Sequence, residues 1–261
     1  MNILFHELKQ NKLAIIIWSV VISFMLGVCV IIYPEMANQM NEISNMFADM
    51  GSFSAAFGMD QINFGEFIGY FGIECGNVLG LGGAFFAAIT GITILAKEER
   101  DNTAEFLLTH PVSRNKVIIE KLLSVVAQIL ILNLSVASTV ALTILIIGEE
   151  VKVLTIVIIL LSYLILQIEI AAITFGISAF IKGQGLGIGL GIAFLLYFLN
   201  IFSNLTDEVK FLKYITPFSY TDSAYIINND KLEIKYLIVG LVLTIGGILA
   251  GFIKYNKKDI N

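Results

Sequence analysis

This sequence predicts an all-α membrane protein with six transmembrane helices, and three observations carry that prediction. The 261 residues are 57% hydrophobic and only 14% charged, with a mean hydropathy of +0.86, whereas a soluble domain carries about 25% charged residues. Six stretches are apolar over the roughly 20 residues that cross a hydrocarbon core about 30 Å thick. The basic residues also segregate. With the N-terminus placed in the cytoplasm, inner segments hold eleven lysines and arginines and outer segments five. The first outer stretch, 34–70, has no basic residue but contains Glu35, Glu42, Asp49, Asp60 and Glu66. The positive-inside rule therefore puts both termini in the cytoplasm.

The elements follow in chain order. Residues 1–12 combine Ile3, Leu4, Phe5 and Leu8 with Lys9 and Lys12, the pattern of an amphipathic helix lying in the membrane interface. The first span, Leu13 to Tyr33, has too long an apolar core for a signal peptide, and "YPEMANQ" offers no cleavage site. It reads as a retained anchor. Five of the seven methionines follow, Met36, Met40, Met46, Met50 and Met59. With Ile43 and Phe47 they make a stripe at helical spacing that breaks near Gly51. Thioethers bind copper(I), but with no cysteine or histidine beside them a deformable apolar surface is the better reading.

The second span is Gly72 to Ala96, and a charged cytoplasmic loop, 97–121, leads from it to the third, Leu122 to Ile147. The fourth is Val153 to Ile181 and the fifth Leu186 to Ser203. An outer segment, 204–235, reads as short helices capping the outer mouth, with Tyr214, Tyr220 and Tyr225 at headgroup level. The sixth span is Tyr236 to Ile253. The whole of 1–261 is one transmembrane domain.

Small residues recur every four positions at Gly72, Gly76, Gly80, Ala84 and Ala88, and again at Gly183, Gly187 and Gly191. Such strips let another helix approach closely, either inside the subunit or across a subunit interface. Polar groups inside spans are costly, an acid at mid-span by roughly 3 kcal/mol on insertion scales. Glu169 and Gln167 lie in the fourth span, Glu74 and Asn77 in the second, and Gln128 and Asn133 in the third. Two readings stay open for these six residues, a polar pathway and polar fastening between helices.

Several chemistries are excluded. Cys29 and Cys75 both lie in apolar stretches, so no disulfide framework is readable. His6 and His110 are isolated, which rules out a histidine-based metal site and an intramembrane metalloprotease of the HExxH type. No GxxxxGK[ST] phosphate loop occurs. The run "GQGLGIGLG" opens an apolar span without a preceding strand, so it is not a dinucleotide site. No nucleic-acid partner is indicated.

The loop "ILAKEERDNTAEFLLTHPVSRNKVIIEKLL" gathers ten charged side chains between Lys97 and Lys121, five of each sign. Asn102 followed by Glu105 makes a capping-box-like start, and Phe106, Leu107 and Leu108 give the short helix an apolar face. Pro111 stops it, and Ser113 caps the next helix. A stub of about two turns is marginal in water and needs a surface to pack on, either its own membrane domain or another protein.

This segment resembles the first cytoplasmic loop of ABC-2-type ABC transporter permeases. The likeness rests on Glu98 and Glu99, Thr103, Glu105, Leu107 and Leu108, Pro111, Val112, Ser113, Arg114 and Lys121. Asn102 stands where the family often has glycine, a tolerable change because asparagine also accepts left-handed angles.

The resemblance implies a permease subunit of an ATP-driven exporter that forms half of the translocation path. It implies no cofactor in this chain. ATP and magnesium would belong to a separate ATP-binding subunit, present twice, and the second permease chain would be identical or homologous. The loop would be a coupling helix, with Glu98, Glu99, Asn102, Glu105, Phe106, Leu107, Leu108, Pro111, Ser113 and Arg114 forming or positioning the ATPase contact. The expected setting is a bacterial cytoplasmic membrane. The alternative is a secondary transporter built around Glu169, although such carriers often show repeated halves and no internal repeat is visible here.

Overall fold

The computed structural model describes residues 3–51, 54, 56, 61–97, 113–181, 183 and 185–257, with backbone alone at 38, 40–45, 47–49 and 207. Among these residues the secondary structure is entirely helical. Helix α1 is Ile3–Gln10 and α2 is Lys12–Asp49, the two joined at Asn11. Helix α3, Phe67–Cys75, runs through a π-helical turn, Gly76–Gly80, into α4, Leu81–Thr93. Next come α5, Arg114–Ile147, α6, Val153–Ser178, and α7, Leu186–Leu205. Two 3₁₀ segments, Asp207–Tyr214 and Pro217–Thr221, lead to α8, Ser223–Asn229, and α9, Ile234–Lys257.

Six of these helical stretches are long and apolar enough to cross a membrane: Lys12–Ala37, Phe67–Thr93, Arg114–Ile147, Val153–Ser178, Leu186–Leu205 and Ile234–Lys257. They agree with the six expected spans. Large apolar side chains such as Phe24, Leu145, Ile146 and Val242 face outward from them, as a lipid-solvated surface requires. Helix α2 is longer than a bilayer needs. Its 38 residues extend about 57 Å, so its methionine-bearing end stands beyond the hydrocarbon core. The expected break at Gly51 is where the chain turns, with φ +54.

Helix α6 forms the centre of the bundle, packed between α4 and α9, while α2 lies on α5 and α7 on α4. Close approach explains the arrangement. A Cβ on Gly247 would sit 2.5 Å from the Ala172 carbonyl oxygen, so α9 meets α6 backbone to backbone. In the second span, Tyr163 fills the notch left by Gly76 and Gly80, and Ser223 lies against Gly72. That strip is occupied from within the chain. In the fifth span the glycines divide between two faces. Gly187 and Gly191 have nothing within 4 Å, and it is Gly185 and Gly189 that pack on Ile92 and Ala88.

The bundle has a terminal end, where α1, the start of α5 and the last turn of α9 meet, and a distal end. At the distal end, Tyr33 donates to the Gly65 carbonyl at 2.8 Å and Tyr70 to the Cys29 carbonyl at 3.1 Å, fixing α2 to α3. The segment 204–235 departs most from the sequence reading. Tyr214 is exposed, but Tyr220 is only 2% exposed, and its hydroxyl donates to Glu169 Oε2 at 2.8 Å. Glu169 lies about 24 Å along α6 from Val153. Thr216 also reaches inward, donating to the Leu196 carbonyl at 2.7 Å. This segment therefore folds back into the bundle rather than only capping it. Buried hydroxyls that find acceptors on α6 and α7 make that re-entry tolerable in an apolar setting.

Candidate functional site

Three polar features interrupt the apolar bundle. The first is an ion cluster at the terminal end. Glu7 on α1 is 2% exposed, and its carboxylate accepts from Lys121 Nζ at 3.0 Å and from Lys97. Lys121 has no exposed surface and donates also to the Ile94 carbonyl at 2.7 Å. Lys97 donates to Gln10 Oε1 at 2.6 Å. Burial pushes the Glu7 carboxyl up, but Lys121 and Lys97 outweigh that and hold it below the usual carboxylate value. Next to Lys121, Glu120 Oε2 accepts from the backbone of Ile3 at 2.5 Å and Leu4 at 3.2 Å, closing the N-terminus of α1.

Lys97 and Lys121 lie on the two sides of 98–112, so one carboxylate ties both roots of that loop to α1. Sequence reasoning missed Glu7 and Glu120. The available signal was that Glu7 falls one helical turn after Ile3, on the face α1 buries. An acid there demands a cation.

The loop residues Glu98, Glu99, Asn102, Glu105, Phe106, Leu107, Leu108 and Pro111 lie outside the described residues, as does the expected helix 102–109. Ser113 caps α5, accepting from the Lys116 backbone at 3.3 Å. Arg114 donates to the Asn256 carbonyl at 3.1 Å, and Asn256 Nδ2 donates to Asn115 Oδ1 at 2.7 Å. The end of α9 is thereby fastened to the start of α5.

The second feature is the set of in-span polar residues. Asn133 donates to Gln167 Oε1 at 2.7 Å, bridging α5 and α6. Gln167 occupies the space that a Cβ on Gly83 would fill, 2.1 Å from its Nε2. Glu169 sits between Tyr220 and Gly240, where a Cβ would come within 2.3 Å of its Oε2. Glu74 accepts from Cys29 Sγ at 3.6 Å. Gln128 is buried, whereas Asn77 is exposed. Gln128 Nε2, Gln167 Nε2 and Glu169 Oε1 find no partner among the described residues. Glu169 thus accepts from the re-entrant segment and lies in close contact with α9 at Gly240.

The third feature is a cavity of about 610 Å³ at the distal end, lined by Asn77, Tyr163, Asn200, Ser219, Lys210 and Lys213 among others. It opens where the π-helical turn, α7 and the re-entrant segment diverge. Among the described residues no group of three or more histidine, cysteine or acidic side chains is placed to hold a metal ion.

Six apolar spans, polar side chains bonded between helices and an ion-paired root for a loop between the second and third spans define a polytopic membrane protein. The family model of ABC-2 family transporter proteins matches residues 1–260, and the chain belongs to that family. No curated protein matches it. As an ABC-2 permease it is a membrane component of ABC transport, in a family that works with an ATP-binding subunit.

Proposed function

We propose that this chain is the membrane half of an ATP-driven exporter, with both termini cytoplasmic, paired with a second permease chain and docked through 98–112 to a separate ATP-binding subunit. The observation that carries the reading is the buried union of Lys97, Lys121 and Glu7. A loop that must transmit force needs stiff roots. Here both roots end on one carboxylate that also holds α1, so a push on the loop moves the second span, the third span and α1 together. Leu107 and Leu108 serve as apolar anchors in the ATPase groove, and Glu98, Glu99, Glu105 and Arg114 steer docking. Nucleotide-driven closure of two ATPase subunits then opens a path between two permease chains. The membrane is a bacterial cytoplasmic membrane.

The test is a pull-down of the tagged chain from mild detergent, followed by an ATPase assay on the co-purifying protein. A soluble ATPase should accompany the wild-type chain. Leu107→Asp with Leu108→Asp should leave the permease inserted and monodisperse while abolishing that association. Normal ATPase stimulation by the doubly substituted chain would contradict the coupling assignment.

A further inference from the structure

The distal cavity lies where the second span, α7 and the re-entrant segment diverge, and its lining has a definite chemistry. At about 610 Å³ it falls within the range of small-molecule sites, about 300–1,000 Å³. Ser219 lines it, is only 4% exposed, and its hydroxyl finds no partner among the described residues. A buried hydroxyl left unpaired is costly, so a polar group is held there that the described fold does not itself satisfy. Asn77, also in the lining, is exposed on the π-helical turn Gly76–Gly80, an irregularity of the kind that recurs at functional sites in helices. The second span starts at Phe67, which puts Asn77 about 15 Å from the distal end of that span. Polar groups at such depths are tolerated in a membrane only where they line protein or water-filled space.

Charge does not select the ligand. Lys210 lines the cavity but already has an interaction partner. The other two charged residues of the lining, Lys213 and Asp222, are of opposite sign. Asp222 Oδ1 also caps α8, accepting from the backbone of Ala224 at 3.0 Å and Tyr225 at 3.4 Å. The selecting groups are neutral. The carboxamides of Asn77 and Asn200 and the hydroxyls of Ser219 and Tyr197 all line the cavity, and each of the four both donates and accepts. Sugar hydroxyls do the same, so every contact can form in either sense. An anion would use the donors alone, and an apolar molecule none of them. The wall suits the other character of a sugar ring. Tyr197 and Phe218, both in the lining, meet edge to face with ring centroids 5.4 Å apart, a rigid apolar surface for the C–H face of a ring.

We propose that this cavity binds a neutral sugar ring, with Asn77, Asn200, Ser219 and Tyr197 on its hydroxyls and the wall of Tyr197 and Phe218 against its C–H face. The shared chemistry admits two sources, the headgroup of a glycolipid and a free glycoside. The site does not depend on docking to an ATPase.

The full-length chain, held in an uncharged polyoxyethylene detergent that carries no sugar, is titrated with glucosyl-dioctanoylglycerol, methyl glucoside, dioctanoylglycerol and dioctanoylphosphatidylglycerol, and thermal unfolding is followed. The glucosyl lipid should raise the melting temperature saturably, and the two lipids without sugar should not. Methyl glucoside matching the glucosyl lipid would identify a site for the free glycoside, and a response to the glucosyl lipid alone a site for the headgroup on its chains. Asn77→Leu with Asn200→Leu should weaken the apparent affinity at least about tenfold, whereas Lys213→Gln should leave it unchanged. Ser219→Ala removes a hydroxyl without a described partner, so it should leave the unliganded melting temperature in place and still weaken binding. Absence of a saturable shift from both glucosides would overturn the proposal. So would equal shifts from the lipids with and without sugar, or affinity unchanged in the asparagine variant. ATPase association measured on the same variants separates failure of this site from failure of the permease assignment.

Discussion

Replacing Glu7 with glutamine isolates the ion cluster. The substitution keeps shape and one acceptor but removes the Glu7 negative charge from beside Lys121, which has no exposed surface. Breaking a buried ion pair costs about 3–5 kcal/mol because the remaining charge stays desolvated. The glutamine oxygen and the Ile94 carbonyl still accept from Lys121, which places the expected loss near about 3 kcal/mol. For a chain of this size each kcal/mol moves the melting temperature by about 2–4 °C, so a drop of about 6–12 °C is expected. Cys75 is fully buried and free, so a thiol-reactive dye reports unfolding in detergent. Glu7→Leu combined with Lys121→Met should recover part of the loss, since the buried Glu7–Lys121 pair is then removed as a whole. A melting temperature for Glu7→Gln within about 2 °C of wild type would refute the claim that this pair holds the terminal end together.

The cluster also fixes a pH response. The folded Glu7 carboxyl titrates below its ordinary value of 4.5, so its stabilisation is complete above that value. It is lost as pH falls from there through the folded value. The protection of α1 amides, taken relative to the intrinsic exchange rate at each pH, should therefore fall under acid in wild type and be low and flat in pH in Glu7→Gln; wild-type α1 protection insensitive to acid would contradict the assignment. At mid-span, Tyr220→Phe removes the one described donor to Glu169 and should cost about 1–3 kcal/mol, read as a lower unfolding midpoint. An unchanged midpoint would mean that the re-entrant segment is held by Thr216 and Ser223 alone. Among the glycines, Gly247→Ala should lower stability because the new methyl meets the Ala172 carbonyl at 2.5 Å, whereas Gly187→Ala meets nothing within 4 Å and should be neutral. Equal effects at the two positions would refute the α6–α9 contact.

The legible part of this protein follows from a single physical demand. Backbone polar groups in hydrocarbon must bond within their own segment, so any run of about 20 apolar residues can be read as a helix without knowing its neighbours. Composition alone thus set the six spans, and the cap at Ser113 and the turn at Gly51 were readable because their causes are local. The loop motif "EFLLTHPVSR" pointed to the family for the same reason, since its residue order is local information. The polar in-span residues were visible as anomalies, but their partners were not.

What the tertiary structure alone decided are the pairings between residues far apart in the chain. Glu7 meets Lys97 and Lys121 across 90 and 114 positions, and Tyr220 meets Glu169 across 51. No periodicity encodes such contacts, because each depends on which helix faces which. The same limit explains what sequence reading misplaced or left open. Tyr220 was assigned to the headgroups from its aromatic character, yet its hydroxyl donates to the Glu169 carboxylate inside the bundle. For Gly183, Gly187 and Gly191 spacing left open packing within the chain or across a subunit interface, and within the chain α7 turns the alternate pair, Gly185 and Gly189, towards α4. Spacing names the faces of a helix; only packing chooses which of them is buried.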